Sequence, residues 1–413
     1  MTTALVLTLL VGPLLALGLD FAAQIRSHLA LRLRATSGAS RGPATHRATA
    51  QRRQVVAVDD ESPACEDFTL VVPIYGDIRY LENVAWLSRY GSRVLLATSS
   101  AESEVFYAAL GEIARLHGFR VHASTTPTGA AGHAGRRSTS GTLRDTIVRD
   151  AHEVLTSRYV VCIDADTVTE QSVDLLVGAF DAAGLDLGSV PLSVANTTTV
   201  LGRLQRIEYR MAMRLRRIMP WMVCGGCHIA RREVHADLMR RHSLFFQGND
   251  VELGLLAVAR GYRVAHLDFA VPTVVPDTLA GWLRQRIAWS GGEFRVMLVN
   301  LRLALQHPYL YLYGALVTFA LAPLRWWGLS RVGWVAVVVL VAYTASVMLL
   351  NRSIRDPLLW VYPWYALSYA LVLLPLGGLA YAQMALRSHN AGIIRPGRRD
   401  GASRARVGAA HLS

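Results

Sequence analysis

Tyr159-Val-Val-Cys-Ile163 is an unbroken apolar run that ends on Asp164-Ala-Asp166. Apolar residues without alternation suit a strand buried on both faces of a sheet, the condition of parallel strands in α/β folds. Both carboxylates then stand just past the strand's C-terminal end, where open α/β sheets place ligands. Two carboxylates one residue apart can hold a hard divalent cation beside a diphosphate, although the pair alone equally suits a solvated turn.

The pattern repeats outward. Phe68-Thr-Leu-Val-Val-Pro-Ile-Tyr75, Arg93-Val-Leu-Leu-Ala-Thr98 and Phe119-Arg-Val-His-Ala123 are further short apolar runs, and Glu104 to His117 and Thr142 to Ser157 between them have helical spacing. Strands alternating with helices predict an α/β domain with a mainly parallel sheet covered on both faces. Its expected limits are 67–292.

Hydrophobic residues make up 52% of the 413-residue chain and concentrate at the two ends. Residues 1–24 read as a transmembrane helix, since Leu5 to Ala23 is almost uncharged and near the roughly 20 residues a span needs. Arg26, Arg32 and Arg34 follow it, which places that flank in the cytosol. A signal peptide fits less well, because no charged region precedes the apolar core. Residues 25–66 read as a basic flexible linker. After the soluble domain, 293–307 reads as an interfacial amphipathic helix and 308–386 as about three transmembrane helices. The last of these is broken by Pro375, Gly377 and Gly378, and 387–413 is an Arg-rich disordered tail. The expected protein is therefore a multi-pass plasma-membrane protein with its middle domain in the cytosol.

The formal charge is +13. No recognition motif accompanies it, so a nucleic-acid partner is not expected; charge beside spans orients a protein and meets anionic headgroups. Leu204, Ile207, Met211, Leu215 and Ile218 share one helical face, with Arg203, Arg206, Arg210, Arg214 and Arg217 largely on the other. That basic face is either solvated or laid against lipid. The cysteines, Cys65, Cys162, Cys224 and Cys227, are too few and uneven for a disulfide framework, which fits a reducing compartment.

The order of landmarks resembles the processive, membrane-bound branch of glycosyltransferase family 2, which includes synthases of cellulose, chitin oligosaccharides and hyaluronan. The resemblance runs over roughly 68–292. Pro73-Ile-Tyr75 is similar to the family's nucleotide-binding opening, and Asp164-Ala-Asp166 to its metal motif. Cys224-Gly-Gly-Cys227 resembles the acceptor-side loop, Gly248-Asn-Asp-Val-Glu-Leu253 the segment with the catalytic base, and Gln285-Arg-Ile-Ala-Trp289 the Q-x-x-R-W signature. The resemblance implies a GT-A-like domain with a mixed, mainly parallel sheet, and an inverting transfer of sugar, from a UDP-sugar, to a growing glycan. A lipid-linked acceptor taking one sugar, or a non-catalytic partner of a synthase, are the rival readings.

On that reading Asp164 and Asp166 bind Mg2+ or Mn2+; Pro73, Tyr75, Glu102, Asp164, Gln285 and Arg286 contact the nucleotide-sugar donor; and Gly225, Gly226, Cys227 and Trp289 meet the acceptor. Asp250 is the base, though Asp also caps helices well. Glu252 is expected to face elsewhere and to tolerate Gln. The chain departs from the family at Asn249, where an acid is usual, and at Ala288, where the signature has Arg. The family's basic residue before the metal motif has Arg136, Arg137 or Arg144 as candidates. Cys224-Gly-Gly-Cys-His228 also matches a haem-attachment or metal-binding spacing, but cytosolic placement disfavours haem, and the glycines suit a close backbone approach to the acceptor.

Overall fold

The computed structural model describes residues 55–125, 140–242, 248–300 and 354–387, with isolated positions between 303 and 351. The expected spans at 5–23, 309–328 and 331–350, the linker up to residue 54 and the tail beyond 387 lie wholly or mostly outside the described residues, whereas the expected span at 358–386 lies within them as the consecutive helical segments Tyr362–Ser368, Tyr369–Leu373 and Leu374–Arg387. Among those described, no helix is long and apolar enough to cross a membrane.

The strands are β1 (Val55–Ala57), β2 (Phe68–Pro73), β3 (Val94–Ser99), β4 (Arg120–Ser124), β5 (Tyr159–Ile163), β6 (Leu187–Ser189), β7 (Leu192–Val194), β8 (Cys227–Arg231), β9 (Val264–Asp268) and β10 (Val271–Thr273). The helices used below are α1 (Glu104–His117), α2 (Ser140–Ala151), α3 (Val173–Ala182), α4 (Val200–Ile218), α5 (Arg232–Arg241), α6 (Asn249–Ala259), α7 (Leu279–Val299), α8 (Tyr362–Ser368) and α9 (Leu374–Arg387). The main sheet runs β1-β9-β6-β8-β5-β2-β3-β4, and β7 pairs with β10 in a small second sheet. All pairs are parallel except those of β8, which runs antiparallel to β5 and β6.

Every residue of β2, β3 and β5 is buried, as expected of strands with both faces covered. Successive residues alternate between two cores. Leu70, Val72, Val161 and Ile163 join Phe106 of α1 and Phe180 of α3 on one face, whereas Val71, Val160 and Cys162 join Ile147 of α2, Leu238 of α5 and Leu253 of α6 on the other. Helix α1 starts where the Ser103 hydroxyl accepts from the Phe106 N–H and ends at Gly118, which has φ +69°.

Two boundaries differ from expectation. The sheet begins inside the expected linker, because Val55–Ala57 adds an edge strand to β9 with Val55 opposite His266; three residues are too few to show a period. The helix expected to start at Glu293 is instead the second half of α7, which continues unbroken from Leu279 and buries Arg295, Val296 and Met297. On the basic face of α4, Arg203 and Arg206 pair with Asp356 at 2.6 and 3.1 Å and Arg217 with Asp268 at 2.6 Å, while Arg206 and Arg210 stay exposed.

Glycines set two close approaches. A Cβ on Gly377 of α9 would lie 2.5 Å from the Ser290 Cβ and 2.6 Å from the Gly291 nitrogen of α7, so these helices meet backbone to backbone. A Cβ on Gly254 would lie 1.7 Å from the Trp221 carbonyl oxygen. Gly254→Ala should therefore push α6 outward and destabilise the domain by about 1–3 kcal/mol or more. A thermal unfolding midpoint unchanged from the unsubstituted protein would contradict that packing.

Candidate active site

The antiparallel run of β8 beside β5 assembles the site. Ile163, the last residue of β5, faces Cys227, the first of β8. Asp164 and the Gly225–Gly226 loop therefore meet at one sheet end, and the Asp164 N–H donates to the Gly226 carbonyl at 3.0 Å. Arg144 of α2 closes the arrangement. It donates through Nε and one NH2 to Asp164 Oδ1 at 3.0 and 2.8 Å, and through the same terminal nitrogen to the Gly225 carbonyl at 2.6 Å. Among the described residues the basic candidate in this position is Arg144; Arg136 and Arg137 lie outside them.

Asp166 stands on the turn after β5, its Oδ1 accepting from the Thr167 hydroxyl at 3.0 Å. Burial raises its pKa, and the charge of Asp164 raises it further. Two hard oxygen donors that repel one another at a strand end fit a divalent cation, which relieves both the burial and the repulsion. Tyr75 belongs to the same cluster: burial pushes its phenol up to about 12, with Arg144 opposing and Asp164 and Asp145 adding. Pro73 ends β2 and leads to Tyr75-Gly76, where the Gly76 N–H donates to Glu102 Oε2 at 3.1 Å. Glu102 thus bridges the loops after β2 and β3.

Asp250 reaches the glycine loop from α6. A Cβ on Gly225 would be 3.3 Å from Asp250 Oδ2, and one on Gly226 would be 3.7 Å from Asp164 Oδ2, so the glycine pair separates the two carboxylates. Helix α6 begins at Asn249 after Gly248, which has φ +83° and caps it without a side-chain bond. Asp250 therefore lies within the first turn and is not the cap. Glu252 points elsewhere, as expected, but into the interior: it and Arg295 of α7 are fully buried and ion-paired, and Arg295 also donates to Asn249 Oδ1 at 3.2 Å. The expected tolerance of Gln at Glu252 is therefore corrected, because Gln would remove a fully buried ion pair with Arg295.

The signature segment lies on α7. Arg286 is fully buried, with NH2 donating to Glu208 Oε2 at 2.8 Å and to Gln205 Oε1 at 3.3 Å. Its Nε and NH1, like Gln285 Oε1, have no partner among the described residues. The guanidinium carbon sits 4.4 Å from the centroid of the Trp289 ring, which stays 37% exposed. Cys227 and Cys224 are buried free thiols, with Cys224 against Met213 at 3.7 Å.

Glu208 and Glu293 were not anticipated. No short motif marks them, since each acquires its role from neighbours distant in sequence. Burial pushes Glu293 up to about 7; Arg216 and Arg286 oppose this, and Glu208 and Asp250 add to it.

The model of glycosyl transferase family group 2 matches residues 159–374, just over half of the chain. A poly-beta-1,6-N-acetyl-D-glucosamine synthase of Staphylococcus aureus is 29% identical over 161 residues, covering 34% of this chain and 36% of that protein. An N-acetylglucosaminyltransferase of Rhizobium meliloti is 35% identical over 80 residues, covering 17% and 19%. The matches thus span about a third or less of these relatives' lengths. A mannosyltransferase of Pyrobaculum calidifontis, solved with GDP-Man and Mn2+, shares the fold at a TM-score of 0.50 and 16% identity, over 90% of this chain and 99% of that one.

The Glu293 shift predicts a pH dependence. Its folded pKa of about 7 exceeds the usual 4.5, so the folded state keeps a proton that the unfolded chain releases. That contribution is fully present below about pH 4.5 and is lost as pH rises through about 7. Glu293→Gln should flatten this part of the melting-temperature profile; an unaltered slope in the variant would remove Glu293 as its source.

Proposed function

The chain belongs to glycosyl transferase family group 2, and from that premise we propose that it is an inverting, metal-assisted glycosyltransferase. It takes sugar from a nucleotide sugar, a UDP-sugar, and adds it to a growing glycan. The observation that carries this reading is the convergence of Asp164 and Asp250 on the two sides of Gly225–Gly226. An inverting transfer needs one carboxylate near the departing diphosphate and another near the attacking hydroxyl. The apolar stretches at 5–23, 309–328 and 331–350 support an integral membrane protein whose catalytic domain faces the cytosol, where nucleotide sugars are made, and which passes product through its own spans.

Asp164 and Asp166 would hold Mg2+ or Mn2+, which when bound neutralises the diphosphate and makes it a better leaving group. Arg144 orients Asp164 by taking one of its oxygens, so the other is left for the donor side. Tyr75, with Pro73 and Glu102, borders the nucleotide position. Asp250 accepts the proton of the acceptor hydroxyl as the diphosphate leaves the opposite face of the sugar. Gly225 and Gly226, without side chains, let an acceptor come close to both carboxylates, and Cys227 anchors that loop in β8. The Trp289 ring offers a flat face to a sugar, and Arg286 beside it holds the ring's orientation by cation–π attraction. Arg286 retains two N–H groups without partners among the described residues, which suits donation to a donor phosphate, and Gln285 beside it can donate through its amide nitrogen.

Asp250→Asn keeps the shape of the side chain and removes proton acceptance. Transfer should fall by a factor on the order of 10² to 10⁴ while Mn2+-dependent UDP binding persists. Full transfer activity in this variant would eliminate Asp250 as the base. Glu252→Gln should instead lose stability, by about 3–5 kcal/mol, because the buried Arg295 would lose its ion pair with Glu252; denaturant unfolding of the two variants side by side separates these roles. Asp164→Asn and Asp166→Asn should each abolish metal-dependent transfer, and undiminished transfer in EDTA would exclude the cation's role.

A further inference from the structure

We propose that Cys162, His228 and His235 form a second metal site, for one tetrahedral Zn2+, buried behind Asp164 and distinct from the Asp164–Asp166 pair. Cys162 and His228 are directly opposite residues of the antiparallel β5–β8 ladder, so their side chains share one face of the sheet. His235 descends on them from α5. The Cys162 Sγ lies 3.8 Å from His235 Nε2, and His228 Nε2 lies 3.2 Å from the same atom. All three ligand atoms fall within 4.8 Å of one another. A tetrahedral ion with Zn–S of about 2.3 Å and Zn–N of about 2.0–2.1 Å sets its ligand atoms about 3.3–3.6 Å apart, and the 3.8 and 3.2 Å from His235 Nε2 to Cys162 and His228 are within a few tenths of an ångström of that.

The surroundings prepare the ligands. His152, just after α2, brings its Nε2 to 2.6 Å from His235 Nδ1. A proton on His235 Nδ1 donated to His152 leaves the Nε2 lone pair free for an ion, the usual arrangement of an imidazole ligand held by an outer partner. Cys162, His228 and His235 are 0%, 4% and 1% exposed. Without an ion, only one proton can lie between the two facing Nε2 atoms of His228 and His235, so one of these buried lone pairs is left facing the other ring with nothing else to bind. One sulfur and two imidazoles prefer a borderline-soft metal to the Mg2+ or Mn2+ suited to carboxylates. Arg144 nearby opposes a dication, but its charge is balanced by Asp164 and Asp145.

The site would tie together both walls of the catalytic cleft. Cys162 stands two residues before Asp164, and His228 two residues after Gly226. The C-x-x-C-H spacing thus contributes its histidine to a metal site with a different cysteine.

The test reads metal directly, so its failure leaves the proposed transfer reaction untouched. Purified full-length protein is stripped with EDTA, dialysed and reloaded with Zn2+ or Co2+, and variants are checked for folding by circular dichroism. We expect about one tightly held Zn2+ per chain, and a thiolate-to-Co2+ charge-transfer band in the Co2+ form. Both should survive in the Asp164→Asn/Asp166→Asn double variant; the band should vanish in Cys162→Ser and weaken in His235→Gln. Absence of a thiolate band in the unsubstituted protein, or its persistence in Cys162→Ser, would overturn the proposal and leave a chain of hydrogen-bonded imidazoles.

Discussion

The Arg144 guanidinium ties together the strand end proposed as the active site, holding Asp164 with two N–H groups and the Gly225 carbonyl with one. A glycine pair has no side chains with which to anchor itself, and a carboxylate past a strand end has several rotamers. One planar cation from α2 restricts both, because its donors lie in a fixed fork. It engages Asp164 through Oδ1 alone, and among the described residues Oδ2 carries no hydrogen bond from it. The parallel sheet supplies the elements, but this contact converts a strand end and a loop into two facing walls.

The opposite wall depends on a second arginine. Arg295 of α7 pairs with Glu252 and Asn249 at the start of α6, and Gly248 lies so near α7 that a Cβ there would be 2.7 Å from the Gly292 carbonyl oxygen. Helical geometry then separates two acids two residues apart: Glu252 turns inward to Arg295, and Asp250 turns toward Gly225. Asn249, where the family resemblance leads one to expect an acid, meets Arg295 through its amide oxygen and adds no charge there. The same helix carries Trp289 and Arg286, so α7 supports both the start of α6, with the proposed base Asp250, and the exposed Trp289 ring. Its contacts with Glu208 of α4 and, through Tyr365, with α8 extend that coupling to the end of the described chain.

The alternating strands and helices and the strand-end position of Asp164 were legible because each is a local pattern. Buried parallel strands must be apolar throughout, and a helix with one buried face must repeat near 3.6 residues. The Gly-Gly loop and the Asn-Asp-Val-Glu segment were legible as motifs. The edge strand Val55–Ala57 was not, being too short to carry a period, and neither was the continuity of α7 through Glu293.

The sequence by itself determined the α/β architecture, the family resemblance and the candidates Asp164, Asp166 and Asp250. Tertiary structure alone decided which arginine meets Asp164, which acid of the α6 turn is locked away, that Glu208 and Glu293 stand beside the signature segment, and that Cys162 meets His228 and His235. The reason is physical. Propensity and hydrophobic period act over one or two turns of chain, whereas a buried charge finds its counter-charge wherever packing brings it. Arg144 with Asp164, Arg286 with Glu208 and Arg295 with Glu252 are pairs between residues far apart in the chain, and no local pattern encodes them.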